Sequence, residues 1–149
     1  MTDILAERAA GRTDSAPSEP TRGIGVLRTV AALGAFGESA AHIPVIQEHL
    51  TEAPYIGVGF VLLTVAGLYL GNLLLREDST WVWLATGVVA AAALVGYVTS
   101  RTIGLPQIHD DIGNWGEPLG VVAVVSEALM LVAVLARMAG DHPGGLRRQ

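Results

Sequence analysis

The chain of 149 residues is 51% hydrophobic and 15% charged, with a mean hydropathy of +0.48, whereas soluble globular domains carry about a quarter charged residues. That balance points to a membrane protein, and the lack of cysteine excludes disulfide staples, thiolate metal sites and thiol redox chemistry such as that of dithiol quinone reductases. The net charge of -5, with every basic residue an arginine, gives no footprint for nucleic acid.

Residues 1–22, MTDILAERAAGRTDSAPSEPTR, mix both charge signs with Ser, Pro and Gly and lack the apolar core of a secretory signal, which runs about 7 to 15 residues. They read as a flexible cytoplasmic tail, in which a short helix over Thr2 to Ala10 would carry no function. Four apolar segments follow: Gly23 to Ile46, Tyr55 to Leu75, Thr80 to Ser100 and Pro118 to Met138. Each reaches the roughly 20 helical residues that cross a hydrocarbon core of about 30 Å. The third contains WVWLATGVVAAAALVGYV, with no charge, so it cannot present the polar outer face that a soluble bundle needs. The expected fold is all-α: a polytopic membrane protein with a four-transmembrane-helix bundle over residues 23–139, one domain without internal repeat, and a second flexible tail over 140–149.

Arginine placement sets the expected orientation. Arg8, Arg12, Arg22 and Arg28 precede or open the first span, Arg76 lies between the second and third, and Arg137, Arg147 and Arg148 close the chain; the two remaining loops hold only Arg101. Both termini are therefore expected in the cytoplasm, and the loops Gln47 to Pro54 and Arg101 to Glu117 outside. Tyr55, Tyr97 and Trp115 would mark the outer boundary, Trp81 and Trp83 the inner one. Gly67 and Gly71 form a GxxxG pair, and Ala90 to Ala93 with Gly87 and Gly96 give a second small surface, for packing within the bundle or in a dimer.

The stretch GAFGESAAHIPVIQEHLTEAPY, Gly34 to Tyr55, carries ionisable groups out of an apolar run. Glu38 and His42 are one turn apart on one face. Pro44 either kinks the helix or ends it near Ile43, with a restart in which proline occupies the first turn. Glu38 would lie roughly 7 to 12 Å below the outer end of its span and Glu127 about 15 Å below the start of the fourth. Ionised groups at such depth cost several kcal/mol, so both should face the interior, protonated or paired, in a proton-relay or ion-site geometry. The competing expectation is a structural lock, with protonated glutamates bonded to Ser39, Ser126, Thr64 or backbone. Arg28 and Asn72, near the inner ends, are explained by snorkelling or an interhelical bond.

Imidazole and carboxylate together suit a divalent transition metal such as zinc, copper(II), nickel or ferrous iron, and the lack of thiolates argues against copper(I). The candidate ligands are Glu38, His42, His49, His109 and Glu127, with Asp110 and Asp111 as ion-attracting loop acids. Their spacing matches no HExxH or EF-hand pattern. Acidic outer loops also follow simply from keeping positive charge inside, and Asp, Asn and Gly before a helix serve as turn and capping residues.

The segments HIPVIQEHLTEAPYIGVGFVLL, SRTIGLP and EPLGVV resemble those of a group of small four-span membrane proteins of actinobacteria and related high-GC bacteria, over roughly Arg22 to Ala139. The resemblance implies the fold and a place in the cytoplasmic membrane, and brings no activity with it. Two functions compete: a site on the extracytoplasmic side that binds a divalent metal or relays protons, and a non-catalytic accessory subunit packed in a larger membrane complex or a homo-oligomer. A stoichiometric large partner on isolation in mild detergent would favour the subunit. A membrane enzyme ranks third, since no Ser/His/Asp spacing, phosphate loop or cofactor fingerprint is present. A bis-histidine haem lacks a second intramembrane histidine.

Overall fold

The structure is a computed structural model that describes residues 19–140. Five α-helices follow in order: α1 Glu19–His42, α2 Ile46–Glu52, α3 Pro54–Arg76, α4 Thr80–Thr102 and α5 Pro118–Gly140. A 3-10 turn, Ile43–Val45, joins α1 to α2. Four of the helical stretches are long and apolar enough to cross a membrane. Helix α1 begins at Glu19, a turn before the expected end of the tail; Arg8, Arg12, Arg147, Arg148 and His142 lie outside the described residues.

Pro44 decides the shape of the first connection. It lacks an N–H and its ring would strike the carbonyl four residues back in an α-helix, so the chain tightens into the 3-10 turn with proline at its start and resumes α-geometry at Ile46. Ala53, at φ -143° and ψ 82°, breaks the path, and Pro54 opens α3 from a first-turn position where its missing donor costs nothing.

The long helices run up and down around a square in the order α1, α3, α4, α5, each packed against two neighbours. One end carries the short link 77–79; the other carries the 43–53 segment and the long loop 103–117. Small residues face inward and large apolar ones outward. Ala31, Ala32, Ala35, Ala90, Ala123 and Ala133 are buried, while Leu33, Leu62, Val88, Val95 and Val132 are each more than 60% exposed. Lipid is as apolar as leucine, so helices gain by close backbone approach rather than by hiding large side chains.

Glycines make that approach. A Cβ on Gly67 would collide with Ser39 Oγ and lie 2.7 Å from the Ala35 carbonyl oxygen, and one on Gly71 would meet the Phe36 ring at 2.7 Å. The GxxxG pair therefore holds α3 against α1 within the bundle. Gly34 and Gly37 do the same for α1 against Ser126 and Met130 of α5. Gly96 meets nothing within 4 Å.

The interior divides along its length. Toward the short-link end it is apolar but for Thr86, whose hydroxyl donates to the Val82 carbonyl, with Ala31, Ala32, Leu70, Leu74, Val82, Trp83, Ala133 and Val134 in one cluster and Ala35, Ala90 and Met130 above it. Toward the long-loop end the buried side chains include the polar groups of Glu38, Ser39, His42, Thr64, Ser126 and Glu127. Trp83 departs from its expected place at the membrane boundary. It is 1% exposed, because it falls on the inward face of α4, and its indole N–H is satisfied by Asp78 Oδ1 at 2.6 Å. Trp81 is 71% exposed, on the outward face of α4.

Asp78 clamps the short-link end, accepting also from Arg137 Nε and Nη2 at 3.3 Å. Partial burial opposes its charge, but the Trp83 N–H and the Arg137 and Arg28 guanidinium groups outweigh this and hold its carboxyl below the usual aspartate range. A group lowered in the folded state contributes stability above its unfolded pKa, about 3.9, and loses it as pH falls through the lower folded value. Thermal unfolding in detergent should therefore show an acid-induced loss of stability below about pH 4 that Asp78→Asn reduces. The change will be modest because the pair is partly solvated.

Candidate functional site

The tight contact of α1 with α5 creates the site. Gly37 packs on Ser126, and the next residue of each helix is a glutamate. Glu38 is 0% and Glu127 2% exposed, and the two lie close enough for electrostatic interaction. Among the described residues neither carboxyl oxygen of Glu38 has a hydrogen-bond partner, nor do Glu127 Oε2 and Thr64 Oγ1. Ser39 Oγ, one of the partners expected for a structural lock, donates to the Ala35 and Thr64 carbonyls at 2.9 and 3.1 Å instead.

Above the pair, His42 is buried on α1 and His49 half-buried on α2. Phe60 of α3 stands between them, its ring centroid 4.7 Å from that of His42 and 4.9 Å from that of His49. Each imidazole places Nδ1 on the carbonyl four residues back, His42 on Glu38 at 2.9 Å and His49 on Val45 at 2.8 Å. A carbonyl only accepts, so both rings carry a proton on Nδ1 in these bonds, which in the neutral imidazole leaves the lone pair on Nε2. The 3-10 turn at Pro44 brings the second histidine back over the same aromatic ring.

The long loop is organised by Arg101, 7% exposed although it stands at the end of α4. Its guanidinium pairs with Asp111 and lies over the Tyr97 ring, 4.9 Å from the centroid. The Gly113 N–H donates to the Arg101 carbonyl at 2.9 Å, and Tyr55 of α3 donates its hydroxyl to the Pro106 carbonyl at 2.7 Å. Gly104 and Gly113 hold φ values of 80° that let the loop turn back on itself. Glu117 caps α5, accepting from the Leu119 N–H at 2.9 Å and from that of Gly120.

The predicted site residues thus fall into groups. Glu38 and Glu127 share the interior, and His42 and His49 share the Phe60 ring. His109 and Asp110 are exposed in the loop, and the charge of Asp111 is answered by Arg101. Among the described residues no three His, Asp or Glu side chains are grouped so as to hold a metal ion. Sequence reasoning missed Phe60, for which no local signal exists, and the Gly34 and Gly37 contact, which the small-residue run GAFGESAA could have disclosed. No family model, curated protein or solved structure matches the chain.

Proposed function

We propose that the chain is a multi-pass protein of the cytoplasmic membrane, with its long loops outside, in which Glu38 and Glu127 form a buried proton-binding pair and His42 and His49 relay protons to it from the long-loop end. The observation that carries this reading is the Glu38 carboxyl, fully buried with both oxygens unpartnered beside a second acid. A lock between helices would bond those oxygens. A carboxylate there would be an unpaired charge, so the neutral acid suits these surroundings, and a group that alternates between the two forms is what proton uptake requires. Of the two cations that the sequence suggests, the proton needs only a single acceptor, whereas a divalent metal drawing on Glu38, His42, His49, His109 and Glu127 needs ligands brought to one point.

Infrared difference spectroscopy on protein in lipid nanodiscs, titrated with acid and base, tests the proposal. A protonated carboxyl band should appear at neutral pH, vanish in Glu38→Gln and shift in Glu127→Gln. Ionised carboxylates throughout, unaffected by either substitution, would refute it; a band displaced by added zinc would select the metal instead. The accessory-subunit reading draws on one observation, the uncovered small-residue face of α4 at Ala91, Ala92 and Gly96.

A further inference from the structure

Helix α3 carries polar groups where lipid is expected. Tyr69, Asn72 and Arg76 recur at helical spacing on one face, with Val65 and Leu68 continuing it toward the middle of the span, and Tyr69 is 64% exposed. Asn72 and Arg76 are exposed as well. None of the three side chains makes a hydrogen bond or ion pair with another described residue. Of the two expectations for Asn72, snorkelling or an interhelical bond, the bond is absent among the described residues, whereas Arg28 does make one, donating from Nε to the Leu74 carbonyl at 2.7 Å. An unpaired amide facing hydrocarbon is costly, and such polar groups in spans normally find a partner.

The same residues, with Leu73, line a shallow, open groove along the outer face of this one helix. Its chemistry is graded along the helix. The guanidinium stands at the end of α3, the amide about 6 Å deeper and the phenol about 10 Å deeper, at 1.5 Å per residue, followed by aliphatic side chains alone. That order matches a glycerophospholipid read from its phosphate through its ester carbonyls to its acyl chain. We infer that this groove on α3 binds one anionic glycerophospholipid, with Arg76 at the phosphate, Asn72 and Tyr69 donating to the esters, and Leu68 and Val65 against the acyl chain. The fork of donors on Arg76 suits a phosphate. No acid lines the groove: Glu77 leaves the helical path at φ -139° and ψ 154°, and Asp78 is held by Trp83 and Arg137. A second copy of the chain is the weaker occupant, because a two-fold contact centred on this face sets Arg76 against Arg76.

Native mass spectrometry of the purified full chain, released from micelles titrated with phosphatidylglycerol or phosphatidylcholine, tests the site. One phosphatidylglycerol should be retained in preference. Arg76→Gln should weaken retention by about tenfold or more, as loss of a charge-assisted bond does, and Asn72→Leu by less. Val88→Ala, on the exposed face of α4, should leave it unchanged. Because all three positions are exposed, the variants will fold, which circular dichroism checks. Equal retention by wild type and Arg76→Gln overturns the inference, as does a two-copy species that Asn72→Leu abolishes.

Discussion

Gly67→Val is expected to force α3 away from α1 and to lower the thermal unfolding temperature in mild detergent by on the order of 10 °C. The first carbon of any side chain at this position collides with Ser39 Oγ and lies 2.7 Å from the Ala35 carbonyl oxygen. The hydroxyl could rotate away, but the carbonyl belongs to the backbone of a helix and moves only with it. Overpacking typically costs about 1 to 3 kcal/mol, and a rigid neighbour places this case at or beyond the upper figure. Gly59→Ala and Gly96→Ala are the matched controls, since neither meets anything within 4 Å. Both should be neutral or stabilise by up to about 1 kcal/mol, through the lower entropy cost of fixing alanine in a helix. An unchanged melting temperature in Gly67→Val would show that the two helices are not in this contact.

Glu38→Met should make the protein more stable while abolishing its proton uptake. Leaving a buried polar group unsatisfied costs about 1 to 3 kcal/mol, and here both oxygens of one carboxyl are in that position. Methionine fills nearly the same space and needs no partner. The sign of the change separates the two roles. If Glu38 instead fastened helices together through hydrogen bonds, its replacement would lower the unfolding temperature, and the carboxyl band of the wild type would stay unchanged across the acid and base titration. A gain in stability with a loss of proton exchange is the usual signature of a group kept for what it does.

The bundle was legible in the sequence because lipid imposes a crude code: a run of apolar residues long enough to span must be a helix. The four spans, the interruption at Pro44 and the burial of Glu38 and Glu127 all follow from local chemistry. The partners of those groups do not. Which serine meets which glutamate depends on helix rotation, and Ser39 turned to the Thr64 carbonyl because Gly67 lets α3 come so near. Trp83 was misplaced for a similar reason. Tryptophan at a span end reads as a boundary marker, and only the register of α4 shows that position 83 points inward while 81 points out. The candidate metal set joined residues by residue type, and a loop as long as 103–117 leaves the place of His109 undetermined until its arginine and its turns are known.

The outward placement of leucine and valine also bears on how this molecule should respond to heat. In a water-soluble domain, melting exposes oily surface to solvent, and the hydration of that surface gives the transition its large heat capacity increment. Here Leu33, Leu62, Val88 and Val132 already face hydrocarbon when the helices are assembled, and they still face it when the helices drift apart. Separation of the bundle within a bilayer therefore wets little new apolar area. Its free energy should vary almost linearly with temperature, without the curvature that brings cold denaturation to soluble proteins.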